Sequence, residues 1–200
     1  MDVFAYLVWC ARTKEALVID PGGDEALILE KIKEKDLALK YIVNTHGHGD
    51  HTQGNMKLKA FTRAKIIMHG EDDKMFNSPM GREMSRPFGF TPSPDADILV
   101  KDGDEIVMGD FSLKVIHTPG HSPGGICLYG EGNLFTGDTL FVGGIGRTDL
   151  PGASHSQFMK SIKDKLLTLP GETVVWPGHD YGIAPSSNID TERKTNPWLQ

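Results

Sequence analysis

The sequence predicts an α/β protein whose strands and helices are arranged in layers. Apolar segments of β type, such as VFAYLVW (3–9) and LKYIVNT (39–45), are interrupted by segments with helical periodicity. Strands in runs with a few intervening helices are typical of layered α/β domains. The length of 200 residues suits one large domain better than two small ones, so we expect a single domain over residues 1–200.

The first half of the chain alternates predicted strands with one predicted helix. The strands are VFAYLVW (3–9), ALVID (16–20), LKYIVNT (39–45) and AKIIMH (64–69). DEALILEKIKEKD (24–36) predicts an amphipathic helix with Asp24 as its N-cap, because apolar residues recur among charged ones. Residues 77–97 are rich in Pro, Gly, Met and Ser, so we expect an extended loop there. This loop serves either as a lid over a site or as a contact in a homodimer.

The second half predicts a further run of strands and one long helix. The strands are EIVMG, FSLKVIHT, GICLYG, NLFTGD and TVVWPGHD, of which the last covers residues 173–180. SHSQFMKSIKDKLLTL (154–169) is the best helix in the chain, because Phe158, Ile162 and Leu166 fall on one face.

Composition and charge narrow the class of protein. The formal net charge is −6, and an acidic balance argues against a nucleic-acid-binding protein, which normally shows a basic surface. No run approaches the roughly 20 apolar residues of a membrane span, and no signal peptide is recognisable. We therefore expect a cytoplasmic protein without membrane or nucleic-acid partners. Cys10 and Cys127 form no CxxC motif and are interpreted as reduced structural thiols.

One short segment carries most of the polar chemistry. NTHGHGDHTQGN (44–55) begins within a predicted buried strand and continues past its end. Within six residues it contains four potential ligands: His46, His48, Asp50 and His51. Imidazole and carboxylate groups are ligands for zinc, iron and manganese. The two glycines between these residues relax the constraints on the backbone, so that several ligands can converge. The pattern predicts a metal site.

Three further polar side chains follow apolar strands in the same way: His121 in HTPGHSPGG, Asp138 in LFTGDTLF and His179 in VVWPGHDY. His117 is a rival to His121 within the same segment. Because a rigid scaffold presents functional loops at strand ends, four strand ends could deliver ligands to one edge of a sheet. Burying the carboxylate of Asp138 without a partner would be costly, and a metal would remove that cost.

The order of these motifs resembles the metallo-β-lactamase superfamily. HxHxDH is followed by a histidine in PGHSPG, an aspartate in TGD and a histidine in PGH, and the resemblance covers nearly the whole chain. It implies a four-layer αββα sandwich with the metals at one edge of two sheets. It also implies two divalent cations with a nucleophilic hydroxide between them. Zinc is the preferred metal, and iron and manganese are the alternatives.

The resemblance implies a role for each residue of the motifs. One metal would be held by His46, His48 and His121. The second metal would be held by Asp50, His51 and His179. Asp138 would bridge the two metals, and Asp50 would also act in catalysis by steering the hydroxide and handling its proton.

Within the superfamily the chain is most similar to the glyoxalase II group. The similar segments are FVGGIGRTDLPG (141–152), WPGHDYG (176–182) and ERKTNPWL (192–199). The similarity implies that Arg147 binds a carboxylate of the substrate with both arms of its guanidinium, and that Tyr181 lies at the substrate site. The helical domain that supplies further glutathione contacts in typical glyoxalase II has no counterpart here, so a compact relative is expected.

The resemblance indicates hydrolysis of an acyl thioester, such as S-lactoylglutathione, as the reaction. Antibiotic hydrolysis is not expected, because the best-known zinc β-lactamases have a cysteine ligand where this chain has Asp138. Two alternatives stay open. One is a persulfide dioxygenase of the same fold, with a single ferrous iron held by His46, His121 and Asp138. The other is a lactonase-type metallo-hydrolase, since water attack on a lactone makes similar demands on the metals.

Overall fold

Two large β-sheets form the centre of the protein. The structure is a computed structural model that describes residues 3–200, apart from the side chains of residues 84 and 85. The strands of the first sheet are β1 (Tyr6–Trp9), β2 (Glu15–Ile19), β3 (Ala38–Val43), β4 (Lys65–His69) and β5 (Ile98–Val100). They lie in the order β1-β2-β3-β4-β5, with β1 antiparallel to β2 and the remaining pairs parallel.

The second sheet is mostly antiparallel. The strands that follow β5 are β6 (Glu105–Met108), β7 (Phe111–His117), β8 (Ile126–Gly130), β9 (Asn133–Gly137), β10 (Leu140–Phe141), β11 (Gly144–Ile145), β12 (Val174–Pro177) and β13 (Ser187–Asn188). The sheet has the order β13-β12-β9-β8-β7-β6, in which β12 runs parallel to β9. β10 pairs with β11 in a short hairpin beside this sheet.

The helices are short; all but the last lie between strands, and the last follows β13. They are α1 (Glu25–Glu34), α2 (Gly49–Thr52), α3 (Asn55–Thr62), α4 (Gly70–Phe76), α5 (Pro79–Ser85), α6 (His155–Ser161) and α7 (Ile189–Thr195). A 3₁₀ turn (Arg86–Phe88) follows α5, and a π-helical turn (Ile162–Leu166) continues α6. Within residues 3–200, none of the helices combines the length and the apolar character that a membrane crossing needs.

Apolar side chains form three core clusters, one between the two sheets and one between each sheet and its helices. Along β2, Leu17 and Ile19 belong to the core between the sheets, whereas Ala16 and Val18 pack on the side of α1 and α3. From the second sheet, Phe135 joins the core between the sheets. A third cluster lies on the far side of the second sheet and contains Cys127, Leu134, Leu140, Leu166, Val175 and Ile189. Helix, sheet, sheet and helix therefore form four layers, which confirms the predicted αββα sandwich.

The largest error of the sequence prediction concerns residues 77–97. This segment contains α5 and the 3₁₀ turn, and is not an extended loop throughout. Ser78 and Pro79 explain the helix, because the Ser78 hydroxyl accepts a hydrogen bond from the Gly81 amide (3.0 Å) and proline suits the first helical turn. Helices α2, α3, α4 and α7 were also not predicted, since elements of four to eight residues are too short to show a helical period.

The two predicted helices are present with shorter bounds. Asp24 stands at the N-cap of α1, but its side chain makes no capping hydrogen bond and its backbone is left-handed, with φ of 51°. The helix predicted at 154–169 is observed as α6 and the π-helical turn. The apolar face that predicted it is fully buried, since Phe158, Ile162 and Leu166 are each 0% exposed.

We predict that Phe158→Ala lowers the free energy of unfolding by about 3–5 kcal/mol, because removing a fully buried ring leaves a cavity. Urea denaturation of the variant and the parent protein measures this difference. Phe61→Ala is the matched control, since Phe61 is 69% exposed and its loss should change the free energy of unfolding by less than about 0.5 kcal/mol. A loss for Phe158→Ala as small as that of the control would contradict its place in the core.

Candidate metal centre

The seven predicted ligands lie in one cluster where the ends of the two sheets meet. Residues 46–51 follow β3 of the first sheet, and the remaining three residues follow β7, β9 and β12 of the second sheet. Four of the five histidines are at most 5% exposed. The structure thus brings together the whole predicted set: His46, His48, Asp50, His51, His121, Asp138 and His179.

The first candidate ligand set consists of His46, His48 and His121. Each offers one ring nitrogen, and these nitrogens lie within 4.8 Å of one another. His48 Nδ1 is 3.0 Å from His121 Nε2. The rings meet edge to face, with centroids 4.8 Å apart for His46 and His48 and 4.9 Å apart for His46 and His121. Three imidazole nitrogens therefore converge on one point from two loops.

The second candidate ligand set consists of Asp50, His51 and His179, and its ligand atoms also lie within 4.8 Å of one another. His51 Nε2 is 3.2 Å from His179 Nε2, and Asp50 Oδ2 is 3.7 Å from the same His179 nitrogen. This set combines two nitrogen donors with one oxygen donor. Because Asp50 and His51 lie on α2, directly after His48, the two sets are neighbours.

Asp138 lies between the two sets. Its Oδ1 is 3.3 Å from His51 Nε2, and its Oδ2 is 3.4 Å from His179 Nε2 and 3.6 Å from His121 Nε2. One carboxylate thus faces histidines of both sets. This is the position that a group bridging two cations would need.

Hydrogen bonds on the outer side of the cluster fix the orientation of three rings. His51 Nδ1 donates to Asp20 Oδ2 (3.0 Å), and His121 Nδ1 donates to the Arg147 carbonyl (2.8 Å). The Thr45 hydroxyl donates to Asp20, so its oxygen accepts from His46 Nδ1 (3.1 Å). With Nδ1 protonated in all three rings, Nε2 of His46 and His121 presents a lone pair to the interior of the cluster, and Nε2 of His51 does so once it has lost its own proton. This is the tautomer a metal ligand requires.

Burial and charge set the protonation of the rings. Burial, with the neighbouring imidazoles, lowers the pKa of His48 to about 3 and holds the pKa of His46 well below its usual range. Burial also opposes a charge on His51, but the carboxylates of Asp138 and Asp20 outweigh it and raise the pKa of His51 well above its usual range. His46 and His48 are therefore neutral near pH 7, whereas His51 is protonated on both ring nitrogens and positively charged in the metal-free protein.

Two buried polar atoms in the described part of the cluster have no hydrogen-bond partner: His46 Nε2 and Asp138 Oδ1. An unsatisfied buried polar atom costs free energy unless something else meets it. Both atoms are of the kinds that ligate divalent cations, and the complete donor set of imidazole nitrogens and carboxylate oxygens suits zinc, iron or manganese. The residues present therefore fit a divalent cation.

The glycines between the ligands have a different role from the one predicted. Gly47 and Gly49 do not have positive φ, so backbone freedom is not the reason for glycine. A Cβ at Gly47 would run into the ring of Phe76, and a Cβ at Gly49 would run into the ring of Phe90. The ring of Phe76 also contacts His48 edge to face, at a centroid distance of 4.9 Å. The glycines therefore allow two aromatic rings to pack against the ligand loop.

The two predicted substrate residues border the cluster. The Arg147 guanidinium forms a two-pronged ion pair with Asp149 (2.7 Å for each contact), and both side chains are exposed. The ring of Tyr181 stacks on His179 with a centroid distance of 4.7 Å and is 57% exposed. Both residues are thus at the rim, and their contact with substrate stays a prediction.

The other histidines lie outside the cluster. The His117 ring stacks on that of His69 (centroid distance 4.0 Å), so His121 and not His117 joins the ligand set. His69 caps α4 by accepting a hydrogen bond from the Glu71 amide, as expected for a capping residue. His155 is exposed and contacts Thr148.

Sequence reasoning missed two buried aspartates. Asp20 ends the strand ALVID, so it carried the same strand-end signal as the four segments that were recognised. Asp72 lies on α4 between two other acidic residues and is 0% exposed. No local pattern distinguishes Asp72 from its neighbours.

Comparison with known proteins identifies relatives of the chain. The family model described as metallo-beta-lactamase superfamily matches residues 1–179. Hydroxyacylglutathione hydrolase GloC of Haemophilus influenzae is 35% identical over 96% of this chain and 91% of that protein. The human mitochondrial persulfide dioxygenase ETHE1 is also 35% identical, over 98% of this chain and 71% of that protein. The crystal structure of BLEG-1 B3 metallo-beta-lactamase has a TM-score of 0.88 at 35% identity, covering 98% of this chain and 93% of that chain.

We predict that the metal-free protein at pH 7 carries a doubly protonated His51 beside singly protonated His46 and His48. Long-range proton–nitrogen NMR spectra of the imidazole nitrogens distinguish these states. Zinc must displace the second proton of His51. The apparent zinc affinity should therefore rise with pH over the range in which His51 loses that proton. Asp20→Asn removes one of the two carboxylates and should lower the pKa of His51. A His51 ring already neutral at pH 6 would contradict this assignment.

Proposed function

Since the chain belongs to the metallo-β-lactamase superfamily, we propose that it is a metal-dependent hydrolase of a small-molecule thioester, such as S-lactoylglutathione. The observation that carries the proposal is the position of Asp138, which lies 3.3–3.6 Å from histidines of both candidate ligand sets. A carboxylate between two ligand sets suits two cations. The relative named hydroxyacylglutathione hydrolase supports the choice of a glutathione thioester.

The residues of the cluster would divide between two divalent ions. One ion would be held by His46, His48 and His121. The other would be held by Asp50, His51 and His179, with Asp138 between them. Zinc is the proposed metal, with iron and manganese as alternatives that the same donors suit. When bound, such a pair of ions lowers the pKa of water to about 7 and polarises a carbonyl oxygen.

Asp50 is the carboxylate placed to exchange a proton with solvent. Its side chain is 18% exposed, against 12% for Asp138 and 2% for Asp20. A partly exposed carboxylate at the cluster can accept a proton from an attacking water and release it to bulk solvent. The leaving thiolate needs little help from an acid, because a thiol has a pKa near 8.5. The chain therefore offers a proton acceptor and has no need of a strong acid for this reaction.

A persulfide dioxygenase is the second candidate. It is favoured by the match to ETHE1, whose identity to this chain is the same 35% as that of the hydrolase relative. His46, His121 and Asp138 would hold its single iron. A lactone is a further substrate class for the hydrolase. A β-lactam is a further substrate to be tested, because a 35% identical structure is named a B3 metallo-beta-lactamase.

Metal content and substrate turnover together decide between these reactions. Protein purified without oxygen is measured by elemental mass spectrometry, and the same preparation is assayed with thioesters, a lactone, a β-lactam and a glutathione persulfide. About two metals per chain with thioester turnover supports the proposal. About one iron per chain with oxygen uptake on the persulfide, and no thioester turnover, would replace it by the dioxygenase.

We predict that His48→Ala and Asp138→Ala each reduce thioester turnover by about a hundredfold or more, because each removes a donor at the centre of the cluster. Turnover per chain and metal content are measured on the same samples. His155→Ala is the matched control, since this exposed histidine lies outside the cluster and should leave both values unchanged. Near-normal turnover with full metal in either cluster variant would exclude the proposed ligand roles.

We predict opposite changes in KM for substitutions of Arg147 and of its partner Asp149. Arg147→Ala should raise KM for a thioester that carries a carboxylate by about threefold to tenfold, with kcat little changed. Asp149→Asn should lower that KM, because it frees the guanidinium from its present partner. Neither variant should change KM for a neutral thioester. An unchanged KM in both variants would leave the Arg147 side chain without a role in substrate binding.

A further inference from the structure

The loops that carry the first candidate ligand set come from different sheets. His46 and His48 lie directly after β3, whereas His121 lies in the loop between β7 and β8. Their ring nitrogens lie as close as 3.0 Å, measured between His48 Nδ1 and His121 Nε2. Packing of the two sheets sets the distance between these loops only coarsely. Direct contacts between the loops and a neighbouring side chain are needed to fix it.

Asp72 makes that local connection. Its Oδ2 accepts a hydrogen bond from the Gly47 amide (2.9 Å), in the residue between His46 and His48. The same oxygen accepts from the Ser122 hydroxyl (2.7 Å), in the residue after His121. Its Oδ1 accepts from the Gly124 amide. One side chain therefore joins both ligand loops.

The surroundings of Asp72 leave little room for another arrangement. The residue is 0% exposed, and each partner named above is a donor, so both oxygens are used as acceptors. A Cβ at Gly124 would lie 2.6 Å from the Asp72 amide nitrogen, so only glycine allows the second loop to approach α4 this closely. Burial raises the pKa of Asp72 against the pull of these donors. The hydrogen bonds are what make a carboxylate tolerable at this place.

Helix α4 also contacts the ligand loop one turn further on. Phe76, four residues after Asp72, packs its ring against Gly47 and edge-on against His48. Residues four apart lie on one face of a helix, so α4 presents a carboxylate and an aromatic ring to the same loop. His69 caps the start of this helix.

We infer that Asp72 is a positioning residue for the first ligand set: its carboxylate fixes the separation between the loop of His46 and His48 and the loop of His121. The inference rests on the proposed metal site. Ligands of structural and catalytic metals must be held within a few tenths of an ångström, and groups that orient ligands affect metal affinity by about 10–100-fold. Asp72 would act through two backbone amides and the Ser122 hydroxyl, and its hydrogen bonds described above go to none of the three rings.

Asp73 offers a matched control on the same helix. Its carboxylate also accepts one backbone and one side-chain hydrogen bond, from the Ala96 amide (2.9 Å) and the Asn77 side chain (2.7 Å). These partners lie in the segment after α4 and not in a ligand loop. Asp73→Asn therefore reports what the loss of a carboxylate on α4 does to the fold, without touching the proposed connection.

The test is the zinc affinity of the full chain, measured by competition with a chelator, with thermal unfolding of the metal-free proteins alongside. Asp72→Asn turns an acceptor into a donor that faces other donors, and should weaken zinc binding by about tenfold or more. Ser122→Ala removes one arm of the connection and should weaken it by about threefold. Asp73→Asn should stay within about twofold of the parent chain, whatever its effect on the unfolding temperature.

The outcomes separate the inference from the proposed function. Zinc affinity of Asp72→Asn within twofold of the parent chain, or a loss in Asp73→Asn as large as that in Asp72→Asn, would overturn the role of Asp72 while leaving the metal site in place. If Asp72→Asn does not fold, an unchanged affinity in Ser122→Ala would overturn it instead. A parent chain that binds no zinc, iron or manganese would overturn the metal site itself, and the inference with it.

Discussion

Two carboxylates where the sheets meet impose the constraint on which the site depends: Asp20 is buried, and the Asp138 side chain is only 12% exposed. A buried carboxylate is costly unless donors or a cation compensate it. The chain compensates Asp20 itself, since the amide and hydroxyl of Thr45 and the ring of His51 donate to it. Asp138 is compensated only in part, because among the described residues its Oδ1 makes no hydrogen bond, although His51 Nε2 lies 3.3 Å from it. That unmet acceptor is what a cation would satisfy.

Neither sheet contains the site alone. The first sheet supplies the candidate ligands from His46 to His51, and the second supplies His121, Asp138 and His179. The apolar core between the sheets, with Leu17 and Phe135 among its members, sets the two groups of strand ends against each other. Buried hydrogen bonds then fix the positions of the two groups more closely than this packing does. The site is therefore a product of tertiary packing, although every ligand lies at the end of a locally recognisable strand.

That division explains what the sequence could predict. Apolar strands that end in His, Asp, Pro or Gly are local signals, so the αββα architecture and the set of candidate ligands were accessible from the residues and their resemblance to a family. The contacts of Asp20 and Asp72 were not accessible, because their hydrogen bonds to Thr45 and Gly124 join residues 25 and 52 positions apart. The role of Gly47 was also misjudged, since the aromatic ring that requires it lies on another helix.

The residues around the candidate ligands are buried and hydrogen-bonded, whereas the residues at the rim are exposed and can exchange partners. Asp20 and Asp72 are buried, and their carboxylates accept hydrogen bonds from the loops that carry the candidate ligands. We therefore expect a change at either one to disturb the ligands nearest to it. Arg147 is exposed and paired with an equally exposed Asp149, and such pairs gain little free energy in water. Under the proposed function, a substrate carboxylate would compete for the Arg147 guanidinium without disturbing the candidate ligands, because Arg147 contacts His121 through its carbonyl. Arg147 thus serves two purposes under this proposal, with separate parts of one residue: its carbonyl orients His121, and its guanidinium is left for the substrate.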